Sequence, residues 1–105
     1  MMLQASKEHT ALAAITQELG SLKETARIRY KAELLGVFGS YARGEQHEGS
    51  DVDILVRFDR GATLFDMVGL EYFLEEALGL KPDIVSEKSI KPRLRQSVLN
   101  ELIPL

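Results

Sequence analysis

The chain has 105 residues, enough for one hydrophobic core, and we predict a single domain over residues 1–105. Cysteine is absent and histidine occurs twice, which excludes disulfides and leaves too few ligands for a structural zinc site. With 13 basic and 16 acidic residues the net charge is −3, which argues against direct nucleic-acid binding. The absence of cysteine indicates a reducing compartment, so we expect a cytoplasmic protein. We read neither a leader peptide nor a membrane-spanning stretch and expect no membrane partner.

The first thirty residues predict two helices. Ser6 or Thr10 can cap the first, whose apolar residues recur at helical spacing: Leu12, Ile15, Leu19 and Leu22. Gly20-Ser21 predicts an interruption, because Ser21 and Glu24 fit the capping box of a second helix that ends near Tyr30.

Two strands and a short helix are predicted next. The compact apolar run Leu34–Phe38 indicates a buried strand, which Gly39-Ser40 ends. Residues 41–43 then resemble the first turn of a helix, and residues 44–50 form a loop. Alternating β-formers predict a second strand over Asp51–Phe58.

The last part of the chain predicts a helix, a strand and a helix. Residues 63–78 place apolar side chains on one helical face and end at Gly79: Met67, Leu70, Leu74 and Ala77 or Leu78. Residues 81–85 form a third strand, and its proline indicates a sheet edge or a strand opening. Pro92 begins the last helix, whose apolar side is Leu94, Val98, Leu99 and Leu102. This order predicts a small α/β (α+β) fold with a short mixed sheet of about three strands flanked by helices.

One segment combines a glycine-serine turn with paired carboxylates. Asp51 and Asp53 lie two apart on a strand, so both point to one side while Val52 enters the core. A divalent cation relieves the repulsion of two such carboxylates, and hard oxygen ligands favour Mg²⁺ or Mn²⁺. Gly39-Ser40 leads into a helix and can bind phosphate through backbone N–H groups. Arg43, one turn later, can add charge there, or it can face solvent or a partner. The combination is typical of two-metal phosphoryl or nucleotidyl transfer.

The surroundings agree with a cation site. Residues 34–80 carry nine acidic and only three basic residues. An Asp-x-Asp pair or a Gly-Ser turn alone is typical of a solvated strand end, but together across ten residues they favour a site. His47 is interpreted as a surface residue. A basic cluster before and on the last helix can be a solvated face or can meet triphosphate or an acidic partner: Lys88, Lys91, Arg93 and Arg95. Phe65 and Tyr72 are interpreted as core aromatics, with a partner surface as the alternative.

Residues Leu35–Glu45 followed by Ser50–Val56 resemble the minimal nucleotidyltransferases of the DNA polymerase β-type superfamily. The resemblance covers about residues 30–102 and implies the small nucleotidyltransferase fold. More narrowly, the brevity of the chain and its flanking sequence are similar to the MntA-type antitoxins, which are partners of HEPN ribonuclease toxins.

The resemblance implies a role for each residue that matches the motif. Gly39 and Ser40 would bind the β- and γ-phosphates of ATP. Asp51 and Asp53 would hold two Mg²⁺ ions that activate the α-phosphorus. Asp83 matches the third catalytic carboxylate, which ligates one metal ion and helps to deprotonate the acceptor hydroxyl.

The implied function is that of an antitoxin with protein adenylyltransferase activity. It would move AMP from ATP to a tyrosine hydroxyl of its cognate HEPN RNase toxin, which then no longer cuts RNA. We expect the acceptor to come from another chain, because this one leaves no room for an acceptor domain. Two alternatives stay open: an antitoxin that acts by stoichiometric binding and occlusion, and a nucleotidyltransferase for a small hydroxylated molecule presented by a partner subunit.

Overall fold

A computed structural model describes the backbone of residues 2–105 and the side chains of residues 11–105. The elements in chain order are α1 (Met2–Tyr30), β1 (Ala32–Phe38), α2 (Ser40–Arg43), β2 (Val52–Phe58), α3 (Leu64–Leu78), β3 (Pro82–Ser86), a 3₁₀ turn (Glu87–Ser89), α4 (Pro92–Glu101) and β4 (Ile103–Pro104). All three predicted strands and both helices predicted after residue 60 are present, each within two residues of its expected bounds. No helix in this described part of the chain is long and apolar enough to cross a membrane.

The N-terminal segment is one helix, so the prediction of two helices is wrong. Gly20 is exposed with open space around it, and a helix tolerates glycine there at a cost of about 1 kcal/mol. The Ser21 hydroxyl donates to the Glu18 carbonyl at 2.7 Å instead of capping a new helix, and Glu24 pairs with Arg27. Because α1 already includes positions 6 and 10, neither residue is its N-cap, and contacts of their side chains lie outside the described residues.

The strands form a mixed four-stranded sheet in the order β3-β2-β1-β4. β1 pairs antiparallel with β2 and with β4, whereas β2 and β3 are parallel. β3 is an edge strand, as its proline predicts. The sequence prediction omits β4, where Ile103 pairs with Val37. A side chain at Gly36 would collide with the Ile103 carbonyl, so this glycine is what allows β4 to approach.

Helices α1 and α3 cover one face of the sheet. The buried core joins residues of both helices to alternate residues of the strands: Ile15, Leu19, Ala26, Ala32, Leu34, Val37, Tyr41, Val52, Ile54, Val56, Leu70 and Leu74. The predicted faces of α1 and α3 are confirmed, since Leu19, Leu70 and Leu74 are fully buried. By strand alternation, Asp53 therefore points away from this core.

The two C-terminal helices differ in burial. Asp66 accepts a hydrogen bond from the Thr63 N–H at 2.8 Å and so caps α3, which ends as predicted at Gly79 in the left-handed conformation. α4 begins at Pro92 as predicted but contains no buried residue. Leu94 and Leu99 are about half exposed, whereas Val98 and Leu102 are partly buried, so the described part of the chain covers the predicted apolar side of α4 only in part.

Candidate active site

The turn between β1 and α2 requires glycine at position 39. Gly39 is buried and has φ 76° and ψ −152°, a conformation that residues with a side chain rarely adopt. A Cβ atom at this position would collide with the carboxylate of Asp53. Backbone conformation and space thus both exclude other residues from the turn that leads into Ser40.

The first carboxylates lie at the start of β2. Val52 is fully buried, whereas Asp51 is exposed and Asp53 half-buried on the other side of the strand. The burial of Val52 between two less buried aspartates agrees with the predicted alternation, and a cation shared by Asp51 and Asp53 stays a prediction. Asp53 stands opposite Phe38, the last residue of β1, which is why its carboxylate lies against Gly39, the residue that follows β1.

The third carboxylate comes from the neighbouring parallel strand. Asp83 is the register partner of Asp53, so the sheet places the two side chains next to each other. Burial raises the pKa of Asp53 from 3.8 to about 6, and a hydrogen bond with Asp83 and the charges of Asp83 and Asp51 contribute, while Arg43 opposes the shift. The structure therefore places the predicted Asp83 beside Asp53 on the neighbouring strand.

These carboxylates suit a hard divalent cation. The repulsion between Asp53 and Asp83 is what a cation would relieve, and carboxylate oxygens are the ligands that Mg²⁺ prefers. Within residues 11–105, no three carboxylate or imidazole side chains converge on one point. Asp51, which is exposed, would have to turn toward the pair to complete a three-carboxylate site.

The residue beside the turn that the sequence interpretation missed is Glu101. Its carboxylate accepts the N–H of Gly39 at 2.9 Å and pairs with the Arg43 guanidinium at 3.1 Å. Arg43 also pairs with Glu45 at 2.8 Å. Glu101 ends α4 and belongs to no motif. The one feature of the sequence that could have drawn attention to it is a carboxylate at a helix C-terminus, where the helix dipole disfavours negative charge.

The remaining predicted residues lie elsewhere. His47 is exposed as predicted, and its Nδ1 lies 2.9 Å from the Glu48 carbonyl of its own loop. The basic cluster is exposed throughout. Phe65 and Tyr72 are 89% and 70% exposed, so their interpretation as core residues is wrong and the partner-surface alternative stays a prediction.

A mixed sheet that places a glycine-serine turn against Asp53, with Asp83 on the next strand, is the arrangement expected of a minimal nucleotidyltransferase. The chain belongs to the nucleotidyltransferase domain family, which matches residues 19–105. It is 42% identical to protein adenylyltransferase MntA of Thermococcus cleftensis over 92 residues, 88% of this chain and 93% of that protein.

Solved structures agree with this assignment. A minimal nucleotidyltransferase superposes with a TM-score of 0.72 at 45% identity, covering 93% of this chain and 95% of the other. The crystal structure of a toxin-antitoxin with AMP-PNP has a TM-score of 0.59 at 30% identity, covering 79% of this chain and 72% of the other. The predicted fold and the predicted relationship to MntA are thus confirmed, and the protein is a nucleotidyltransferase.

Proposed function

We propose that this protein is the antitoxin of a toxin–antitoxin pair and a Mg²⁺-dependent protein adenylyltransferase. It transfers AMP from ATP to a tyrosine hydroxyl of a HEPN-domain RNase toxin and thereby inactivates the toxin. The observation that carries the proposal is the position of Asp53, whose carboxylate lies against Gly39 and which pairs in register with Asp83, so that the glycine-serine turn and the carboxylates adjoin. The similarity to MntA and to a toxin-antitoxin supports the choice of acceptor.

In this proposal the residues of the site bind the nucleotide and the metal ions. Ser40 donates from its hydroxyl and its backbone N–H to the β- and γ-phosphates, and the Gly39 conformation directs these donors. Arg43 adds a positive charge beside them. Asp51, Asp53 and Asp83 would hold two Mg²⁺ ions, which supply charge neutralisation at the α-phosphorus.

The transfer itself exchanges one phosphorus–oxygen bond for another. The tyrosine oxygen bonds to the α-phosphorus, the bond between the α-phosphorus and the bridging oxygen breaks, and pyrophosphate leaves. Asp83 accepts the proton of the tyrosine hydroxyl. AMP stays on the toxin as a phosphodiester, and its bulk and charge block the RNase site.

The experiment is the intact mass of the purified toxin after incubation with this protein, ATP and Mg²⁺. We expect a mass increase of one or more AMP units with the native protein and none with the Asp51→Asn/Asp53→Asn variant. Asp59→Asn, an exposed aspartate in the turn after β2, is the matched control and should transfer AMP normally. An unchanged toxin mass in every sample would contradict the proposal.

The exposed aromatics of α3 favour one second candidate, inhibition by stoichiometric binding. Phe65 and Tyr72 expose most of their area, and Val68 between them is also exposed, which gives an apolar surface about two helical turns long. If the toxin is silenced equally by the native protein and by the double asparagine variant, without any change in mass, this surface rather than the aspartates explains the inhibition.

A further inference from the structure

The C-terminal end of α4 is joined to the turn after β1 by one side chain. Glu101 Oε1 accepts the Gly39 N–H at 2.9 Å and Arg43 Nη1 at 3.2 Å, while its Oε2 accepts Arg43 Nη1 at 3.1 Å. One carboxylate therefore holds both the residue before α2 and its last residue. We call these three hydrogen bonds the Glu101 bridge.

The backbone around Glu101 is itself fixed to β1. Two residues later Ile103 pairs with Val37, and the Leu105 N–H donates to the Leu35 carbonyl at 3.1 Å. The C-terminus of α4 is an unfavourable place for a carboxylate, because the helix carbonyls point toward it. The Gly39 N–H and the Arg43 guanidinium supply the donors that offset this cost.

The Glu101 bridge fixes the turn without using the donors of Ser40. It holds the Gly39 peptide from one side, while the Asp53 carboxylate lies against the Gly39 Cα from another. The ion pairs of Arg43 employ its Nε toward Glu45 and its Nη1 toward Glu101, and neither involves Nη2. The bridge thus holds the residues on both sides of Ser40 and leaves Arg43 Nη2 outside these ion pairs. In the proposed function, the donors of Ser40 and Arg43 Nη2 face a phosphate.

We propose that Glu101 is a positioning residue for the nucleotide triphosphate. It holds Gly39 and Arg43 so that the donors of Ser40 and Arg43 are already oriented when the nucleotide arrives. The identity of the ligand rests on the proposed function, whereas the Glu101 bridge is observed in the structure without it. Pre-orientation of this kind strengthens binding because less conformational freedom is lost when the ligand binds.

A competing role for Glu101 would change nucleotide affinity in the opposite direction. A carboxylate that merely occupied a phosphate position would compete with the nucleotide, and removing it would tighten binding. A positioning carboxylate weakens binding when removed. Nucleotide affinity in Glu101 variants therefore decides between the two roles.

The test measures the binding of AMP-PNP with Mg²⁺ by titration calorimetry. Loss of a charged hydrogen-bonded partner predicts that Glu101→Ala weakens binding about tenfold. Glu101→Gln keeps an acceptor for the Gly39 N–H but lacks the negative charge that pairs with Arg43. Its affinity for AMP-PNP should therefore lie between those of the alanine variant and the native protein, within about threefold of native. Tighter or unchanged binding in Glu101→Ala would overturn the proposal.

Glu87→Ala is the matched control. Glu87 pairs with Arg57 at 2.9 Å, its side chain is 30% exposed against 31% for Glu101, and the pair touches none of the predicted site residues. Removing it should leave AMP-PNP affinity within about twofold of native, although it also breaks a glutamate–arginine pair. An equal loss of affinity in both alanine variants would reduce Glu101 to a general contributor to stability and overturn its positioning role.

A second measurement separates this inference from the proposed function. The backbone amide of Gly39 can be followed by ¹H–¹⁵N NMR and hydrogen exchange in the folded, nucleotide-free protein. We expect its exchange to accelerate about tenfold or more in Glu101→Ala and to stay near native in Glu101→Gln and Glu87→Ala. If the native protein fails to bind AMP-PNP while this exchange pattern holds, the proposed function fails and the bridge stands; unchanged Gly39 exchange in Glu101→Ala contradicts the bridge whatever the ligand.

Discussion

The carboxylate of Asp53 occupies the space that a side chain at Gly39 would need. Asp53 lies on β2 and Gly39 in the turn that follows β1, so their contact joins the glycine-serine turn to the neighbouring carboxylates of Asp53 and Asp83. A single methyl group at position 39 would therefore disturb both halves of the proposed site.

We expect Gly39→Ala to lower stability and abolish AMP transfer. An alanine at φ 76° is strained, and its methyl group collides with Asp53; together these effects should lower the free energy of unfolding by about 2–4 kcal/mol. Thermal melting and the toxin mass assay measure the two effects. Gly49→Ala is the control, because Gly49 has φ 89° but open space around it. This variant introduces backbone strain without a collision. Native activity in Gly39→Ala would contradict the importance of the contact.

The second prediction concerns pH. The pKa of Asp53 is raised to about 6 in the folded protein, above its ordinary 3.8, so the folded state holds this proton more tightly than the unfolded state does. Ionised Asp53 therefore destabilises the fold above pH 6, and the penalty disappears as the pH falls toward 4. Asp53→Asn removes it, and since Asp53 is half-buried and screened by solvent we expect a gain of about 1 kcal/mol at pH 7.5.

Chemical denaturation of both proteins in EDTA at pH 7.5 and at pH 4.5 measures this gain. It should be present at the higher pH and largely absent at the lower one. Asp59→Asn should show no comparable gain at either pH, since Asp59 lies outside the acidic cluster. A loss of stability in Asp53→Asn at pH 7.5 would mean that the carboxylate makes a favourable contact instead.

Magnesium should stabilise the native protein. A cation that binds Asp53 and Asp83 only in the folded state raises the melting temperature in proportion to the logarithm of its concentration once it exceeds the dissociation constant. We expect an increase of about 4–8 °C per 1 kcal/mol of binding free energy, measured by differential scanning calorimetry with Mg²⁺ and then with excess EDTA. In Asp53→Asn/Asp83→Asn the increase should vanish. An equal increase in that variant would place the cation elsewhere.

Much of this arrangement could be predicted from local pattern. The alternation after Asp51 fixes which side of β2 enters the core, so the sequence predicts that Asp51 and Asp53 share the other side. The Gly39-Ser40 turn follows from the end of an apolar run. What local pattern could not supply was the β4 pairing, because a two-residue strand with a proline has no period to detect.

The other differences have similar physical causes. Glu101 lies 62 residues from Gly39, and only the β1–β4 pairing brings its region to the turn. Gly20-Ser21 looked like a break because both residues favour turns, but an exposed helix position accommodates a glycine, and the serine bonds within the helix. Phe65 was expected in the core by its hydrophobicity, yet it projects from the first turn of α3, away from the face that carries Leu70 and Leu74.

The apolar surface of α3 yields the last prediction. Phe65→Ser and Tyr72→Ser should leave the stability of the isolated protein within about 0.5 kcal/mol, because both side chains are exposed. Leu70→Ala, on the buried face of the same helix, should cost about 2–5 kcal/mol and shows that the assay detects core damage.

If this surface contacts the toxin, the Phe65→Ser/Tyr72→Ser variant should lose affinity for it by about tenfold or more, since exposed aromatics that become buried dominate interface energies. Surface plasmon resonance against the purified toxin measures this loss, with Glu87→Ala as a control for an unrelated surface. Native affinity together with native stability in the double serine variant would show that the α3 surface serves neither the fold nor the complex, and would remove the observation that favours inhibition by binding alone.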